Sequence, residues 1–343
     1  MKGELSGFWA AGGPVILAAS ALLSTLLILA LHPVLKRYAM AQPNARSSHK
    51  IPTPQGGGIA VVITVIAVSY AAFSFLPPGA AAMLRFPIVS GAVVLMAGVG
   101  VIADIHPENV ASRLLLQALA VTAVILVLPP GLRIAPALPL PLERIGLIIG
   151  GLWFVNLVNF MDGLDWMTVA EVAPIAAALA GLGLIGALPA PAIAVSLALC
   201  GAIIGFAYFN RPVARLFLGD VGSLPVGLIL GWLLLLLAGE GGRAAAILLP
   251  LYYLADSTIT LFRRAVYGEK IWQAHRSHYY QRSTDRGFSV LEVVARVFAI
   301  NLVLAALAFV TILFPSFATS VATLLCGVAL VGGLLVTFER GKR

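Results

Sequence analysis

Long apolar runs separated by short polar connections recur along almost the whole chain. A membrane-spanning helix needs about 20 mostly apolar residues. Runs of that kind lie near 13–35, 57–77, 86–103, 111–130, 145–161, 167–187, 189–208, 222–239, 244–263, 290–314 and 317–337. They are continuous, unlike the alternating ten-residue segments of a transmembrane barrel. The pattern predicts an all-α, polytopic integral-membrane helical bundle of about 11 transmembrane helices, forming a single domain over 1–343. Met1–Gly12 carries Lys2 and Glu4 ahead of the first run. It lacks a short apolar core followed by a cleavage site, so the first span is predicted to be retained.

Composition agrees with that pattern: 60% of the 343 residues are hydrophobic, 10% are charged, and the mean hydropathy is +1.01. The formal charge of +8 is unevenly distributed. With the amino terminus outside, the outer connections hold Lys2, Arg85, Arg133, Arg144 and Arg243, and the other 17 of the 22 Lys and Arg residues fall inside. That asymmetry predicts the orientation by the positive-inside rule and gives an inner surface that also attracts anionic lipid in the bilayer. Nucleic acid is excluded as a partner, since no soluble domain is left to bind it. Cys200 and Cys326 both fall inside spans and read as small packing residues, not as a disulfide or metal motif.

The polar chemistry collects in the five inside connections. The first contains Arg46, His49 and Lys50 and ends in Gly56-Gly57-Gly58. Three glycines before a helix let N–H groups approach an anion closely, although Pro and Gly are also ordinary helix punctuation. The second lies between Asp104 and Arg113, which can be read simply as an ion pair. The third reads Asn156-Leu-Val-Asn159-Phe-Met-Asp162-Gly-Leu-Asp165-Trp166. If the helix continued through it, Asn156, Asn159 and Asp162 would share a face; an interhelical polar seam would explain the amides better than the two carboxylates. The fourth places Asp220 between Gly219 and Gly222, where it can cap a helix or meet a ligand. The fifth holds His275, Arg276, His278, Tyr279, Tyr280 and Arg282, a basic aromatic loop suited to a phosphate and a nucleobase. Asp256, about two turns inside the preceding span, requires a partner, either Arg263 or a neighbouring helix.

Four aspartates, Asp104, Asp162, Asp165 and Asp220, at one membrane face make an oxygen-rich, sulfur-free site. Such donors suit Mg²⁺, with Mn²⁺ as a substitute, and phosphoryl-group chemistry. The chain has no Gly-x-x-x-x-Gly-Lys-Ser/Thr loop, so ATP hydrolysis is not indicated.

Five stretches, Pro43–Gly58, Gly100–Gln117, Asn156–Asp165, Phe217–Ser223 and Asp256–Ser289, together resemble the polyprenyl-phosphate N-acetylhexosamine-1-phosphate transferases. These are relatives of the phospho-N-acetylmuramoyl-pentapeptide transferase. The resemblance implies transfer of a sugar-1-phosphate from a UDP-N-acetylhexosamine to undecaprenyl phosphate, with release of UMP and Mg²⁺ bound at the cytoplasmic face. It further implies a multi-pass protein of the bacterial inner membrane, amino terminus periplasmic and carboxyl terminus cytoplasmic. The catalytic site is expected in the loops near 36–56, 104–112, 162–166, 209–222 and 264–289. On this resemblance Asp104, Asp162, Asp165, Asp220 and His278 are the expected catalytic residues, and Asp220, Asp104 and Asn159 the expected metal ligands. His49, Asn156, Asn159, Arg276 and Arg282 are the expected substrate-binding residues. Two positions depart from the family pattern: Ala103-Asp104 stands where Asp-Asp is usual, and Tyr280 where many members carry a second histidine. The His275–Gln281 pattern is similar to that of the branch that initiates O-antigen or exopolysaccharide units. A catalytically silent lipid-sugar-binding relative and a transporter are the rival readings. Gly and Ala in the spans permit a homodimer without specifying one.

Overall fold

The structure, a computed structural model of the chain, describes residues 2–42, 51–76, 85–105, 109–129, 131–270 and 275–342, with side chains from residue 9 onward. The helices among these residues are α1 Lys2–Tyr38, α2 Gly58–Phe73, α3 Phe86–Ile105, α4 Val110–Leu126, α5 Leu140–Met161, α6 Met167–Leu184 and α7 Ala190–Ala207. They continue with α8 Asp220–Gly239, α9 Arg243–Leu248, α10 Leu251–Val266, α11 Tyr279–Asp285, α12 Val290–Leu313 and α13 Phe317–Arg340. Eight of them are long and apolar enough to cross a membrane, and α2 and α4 are shorter apolar helices. The chain is therefore a polytopic membrane helical bundle. The only strands among the described residues, β1 Met40–Ala41 and β2 Thr53–Pro54, form a two-residue antiparallel ladder with Met40 opposite Pro54.

Ten of the eleven apolar runs each become one helix, but the run at 244–263 does not. It breaks at Leu249-Pro250 into α9 and α10. A proline inside a helix has no N–H to donate, and its ring crowds the preceding turn.

α8 lies at the centre, packed against α3, α5, α2 and α9, with 89% of its spanning window buried against 22% for α1. Its sequence is apolar on every side, which is the mark of a helix enclosed by others. The entry to α8 is equally tight. A Cβ on Gly58 would fall 2.1 Å from the Gly222 Cα, so α2 and α8 start in backbone contact. The Gly57 and Gly58 N–H groups donate to the Phe217 and Leu218 carbonyls, 2.9 Å each. Those two amides are thus engaged within the fold, and the glycines serve helix packing where the sequence pointed to an anion.

Candidate active site

The fold brings all five inside connections, as far as they are described, to one end of the bundle. Gln55 forms a bridge with Phe217 and donates from Nε2 to the Asp104 carbonyl at 2.7 Å. The Asp104 carboxylate at the end of α3 accepts the Asp220 and Val221 N–H groups at 3.0 and 3.1 Å. Asp104 thus satisfies the orphan donors of the α8 N-terminus, where an acid is also favoured by the helix dipole. The expected self-capping by Asp220 is not what the structure uses. Gly219 makes this approach work: its φ is +77°, and a Cβ there would lie 2.6 Å from Asp104 Oδ2.

Relieved of capping, the Asp220 side chain faces α5 and α4. Asn159 donates from Nδ2 to Asp220 Oδ1 at 2.7 Å and to Ser223 Oγ at 2.8 Å. Arg113 pairs with Asp220 Oδ2 at 3.0 Å and donates to Asn159 Oδ1 at 3.1 Å. Arg113 is therefore the partner of Asp220, where the sequence allowed a pair with Asp104. Both functional atoms of the Asn159 amide are engaged, so in this geometry it orients the Asp220 carboxylate. Asn156, one turn deeper, is buried and donates to Gln117 Oε1 at 2.8 Å, as the polar-seam reading expects.

Helix α5 ends at Met161, and Asp162 is its C-cap. The Asp162 carboxyl accepts the Thr168 hydroxyl. Burial pushes Asp162 up to about 7, against the Thr168 hydrogen bond and with further upward contributions from Asp220, Asp104 and Asp165. Asp165 accepts the Ala214 N–H at 2.9 Å and so ties this turn to the loop after α7. Trp166 sits at φ 63°, ψ 3°, a left-handed conformation costing roughly 1–2 kcal/mol for a non-glycine residue. It is held by Asn210, which accepts the Trp166 N–H at 2.8 Å, and by the Ala207 carbonyl, which accepts the indole Nε1–H at 2.6 Å. Strain of this kind collects at functional turns.

Tyr280 supports the same turn. Its hydroxyl donates to the Phe160 carbonyl at 2.9 Å, and a Cβ on Gly163 would meet that hydroxyl at 2.1 Å. Burial pushes the Tyr280 phenol well above its ordinary value, so it remains a donor.

In the fifth connection His278 is buried, and the partner of Asp256 is this loop, not Arg263. Arg263 donates to the Ser277 carbonyl at 3.0 Å. Arg276 pairs with Asp285 at 3.1 Å and Arg282 with Glu339 of α13 at 2.7 Å. Burial, with the neighbouring His278 and the Arg264 guanidinium adding to it, pushes His275 down to about 3.

A cleft of about 540 Å³ opens at this end, lined by Asp104, Asn159, Asp162, Asp165, Asp220 and Gln281 among others. All four predicted aspartates share it. His278, Arg276, Arg282 and Asn156 do not line it, and His49 lies outside the described residues. Gln55, Thr168, Ser223 and Gln281 are site residues that the sequence reading did not assign a role, because neutral side chains gain significance only from their neighbours. A second, almost entirely apolar cavity of about 470 Å³ lies deeper between α4, α5, α8, α9 and α10, walled by Val121, Gly150, Phe154, Gly231, Trp232 and Leu254 among others. Helices α5 and α8 line both: Val155 faces the apolar cavity, and Asn159, one turn on, faces the polar cleft.

Among the described residues no three His, Cys, Asp or Glu side chains form a ready metal cluster. The donors facing the cleft are nonetheless hard oxygens. Each oxygen of a carboxylate has two acceptor directions, and the hydrogen bonds to Asp220 leave capacity on both of its oxygens. One carboxylate completed by water and phosphate oxygens is an ordinary Mg²⁺ arrangement, so the residues fit that ion.

The structure is thus a membrane bundle with carboxylates gathered in one cleft and an apolar cavity on the same two helices. The model of the family described as Glycosyl transferase family 4 matches residues 86–238, which include Asp104, Asn159, Asp162, Asp165 and Asp220. A probable undecaprenyl-phosphate N-acetylglucosaminyl 1-phosphate transferase of Bacillus subtilis is 25% identical over 304 residues, 82% of each chain. A decaprenyl-phosphate N-acetylglucosaminephosphotransferase of Mycobacterium leprae is 26% identical over 296 residues, 76% of this chain and 73% of its own. A phospho-N-acetylmuramoyl-pentapeptide-transferase of Symbiobacterium thermophilum is 33% identical over 210 residues, 54% of this chain and 61% of its own. Residues 86–238 of the chain are thus similar to glycosyl transferase family 4, and the relatives it resembles over most of its length are named as polyprenyl-phosphate sugar-phosphate transferases.

Proposed function

We propose that this protein transfers an N-acetylhexosamine-1-phosphate, of the N-acetylglucosamine type or a 6-deoxy form, from a UDP-sugar to undecaprenyl phosphate. The reaction would begin a cell-envelope glycan such as an O-antigen or exopolysaccharide, in the bacterial inner membrane with the cleft facing the cytoplasm. One observation carries the reading: the polar cleft holding Asp104, Asp162, Asp165 and Asp220 adjoins an apolar cavity on the same α5–α8 pair. A polyprenyl phosphate has both halves, an apolar chain and a charged end. The names of the Bacillus and Mycobacterium relatives agree with this acceptor and sugar.

In the proposed step an oxygen of the lipid phosphate forms a bond to the sugar-bearing phosphorus, and the bond from that phosphorus to the oxygen of UMP breaks. One pyrophosphate linkage replaces another, so no ATP is required. The second pKa of a phosphate monoester is about 6, so near neutral pH the nucleophile is mostly ionised without a general base. Ala103, where a second acid is usual, is compatible with turnover for that reason. Positioning and charge neutralisation do most of the work in phosphoryl transfer. Mg²⁺ held by Asp220 would neutralise phosphate charge. Asn159 and Arg113 fix the Asp220 carboxylate, Asp104 anchors the start of α8, and Asp162 and Asp165 shape the turn that faces it.

The test is incubation of purified protein with undecaprenyl phosphate, Mg²⁺ and a panel of UDP-sugars, following UMP and lipid-linked product. Turnover with at least one N-acetylhexosamine donor, abolished by chelation, is expected. No product from any donor would overturn the assignment.

A further inference from the structure

The Asp256 carboxylate accepts five hydrogen bonds, and nothing in the transfer described above uses it. Its side chain is fully buried on α10. Oδ1 accepts from Thr260 Oγ1 at 3.2 Å, from the Tyr279 N–H at 3.0 Å and from His278 Nδ1 at 3.2 Å. Oδ2 accepts from the Tyr280 N–H at 3.1 Å and the Tyr252 hydroxyl at 3.3 Å. Two of these five groups are backbone amides, which can only donate. A carboxylate only accepts hydrogen bonds, so the His278 contact is made by an Nδ1–H.

The other ring nitrogen, His278 Nε2, is buried and has no hydrogen-bond partner among the described residues. The ring is held between His275, stacked at 4.9 Å between centroids, and Tyr280 at 5.8 Å, with Phe160 of α5 at 6.4 Å. Its neighbours reach the cleft: Gln281 lines it, and Tyr280 bonds the backbone beside Asp162. A buried nitrogen left unpaired is a cost, shared in this loop by Arg276 Nε and Gln281 Oε1, and it is relieved when a ligand supplies the missing partner.

We propose that Asp256 is a positioning residue: it fixes the tautomer and plane of His278 so that Nε2 is the free acceptor offered to a hydrogen-bond donor of the bound substrate. The proposal rests on the transfer reaction for its kinetic consequence but not for the tautomer itself. The same carboxylate binds the first two amides of α11, so the ring and the Tyr280 support of the Gly163 turn move as one unit. With no acceptor at 256 nothing holds the proton on Nδ1, and the neutral ring is free to carry it on Nε2, leaving no acceptor there.

The test has two parts. Solid-state ¹⁵N spectra of histidine-labelled protein at alkaline pH, with His278 identified by difference from His278→Gln, are expected to show a protonated Nδ1 and a bare Nε2. They are expected to show a rise in protonated Nε2 in Asp256→Ala. A parent protein with Nε2 protonated and Nδ1 bare overturns the proposal, without dependence on whether any variant folds. UMP release by Asp256→Ala is expected to fall by about 100-fold or more, in the range for loss of a positioned acid–base group. His278→Ala is expected to fall similarly, and the double variant to be no slower than the slower single one. Losses that multiply would show that Asp256 acts independently of His278 and would overturn the proposal. A parent enzyme that releases no UMP would defeat the transfer reaction instead, and the spectra would still decide the tautomer.

Discussion

Asp104 and Asp220 are both acids at a membrane face, yet their surroundings give them different work. Asp104 has both oxygens on backbone amides, and Asp220 is oriented by Asn159 and Arg113. Asp220→Asn keeps the volume but removes the charge, and UMP release is expected to fall by about 100-fold or more, as for loss of one preorganised electrostatic group. Release at the parental rate would remove Asp220 from the metal assignment. Asp162 and Asp165 lie on the turn that Tyr280, Trp166 and Asn210 hold in place. Either Asp162→Asn or Asp165→Asn is therefore expected to lower the rate by more than Ala103→Asp raises it, measured in the same assay. A large gain from Ala103→Asp with little loss from the two asparagine variants would reverse that ranking.

Elements matter here mostly where they end. Helix α5 stops one residue before Asp162, α8 begins at Asp220, and α10 carries Asp256 beneath the 275–285 segment. The docking of that segment is expected to depend on pH through His275. Its pKa is about 3 in the fold against 6.5 for a free histidine, so between those values the unfolded segment binds more protons than the folded one. The contribution is complete above about 6.5 and is lost progressively as pH falls toward 3. Hydrogen exchange of the 279–285 amides should accelerate over that window in the parent and much less in His275→Asn. Equal acceleration in both would assign the effect to another group. Glu171 illustrates what element boundaries alone do not reveal. It is a buried acid inside α6, bonded by Asn301 of α12 at 2.6 Å, and a single acid within an apolar run does not announce its partner.

At the scale of the whole molecule, the bundle sorts its polar chemistry to one end. The proposed orientation can be tested with cysteine labelling, because Cys200 is buried and Cys326 lies within α13. Glu240→Cys, exposed in the connection after α8, is expected to react with a membrane-impermeant maleimide from the periplasmic side. Asp285→Cys, at the end of α11, is expected to react only after the inner membrane is opened. The opposite pattern would invert the molecule and place the cleft outside.

Apolar runs long enough to form buried helices, an uneven distribution of Lys and Arg, and four aspartates set in short polar connections were all legible in the sequence, because each depends on composition over a window or on position along the chain. Ten of the eleven runs each became one helix, eight of those helices long and apolar enough to span, and Pro250 breaks the eleventh run. Which acid caps a helix and which is left for a ligand was decided only in three dimensions. Arg113 serving Asp220, Asp256 holding His278, and Gly57 and Gly58 giving their amides to Phe217 and Leu218 all join residues far apart in the chain. Hydrogen-bond partnership depends on distances of a few tenths of an ångström, and those are set by how helices pack, which no local pattern of residues encodes.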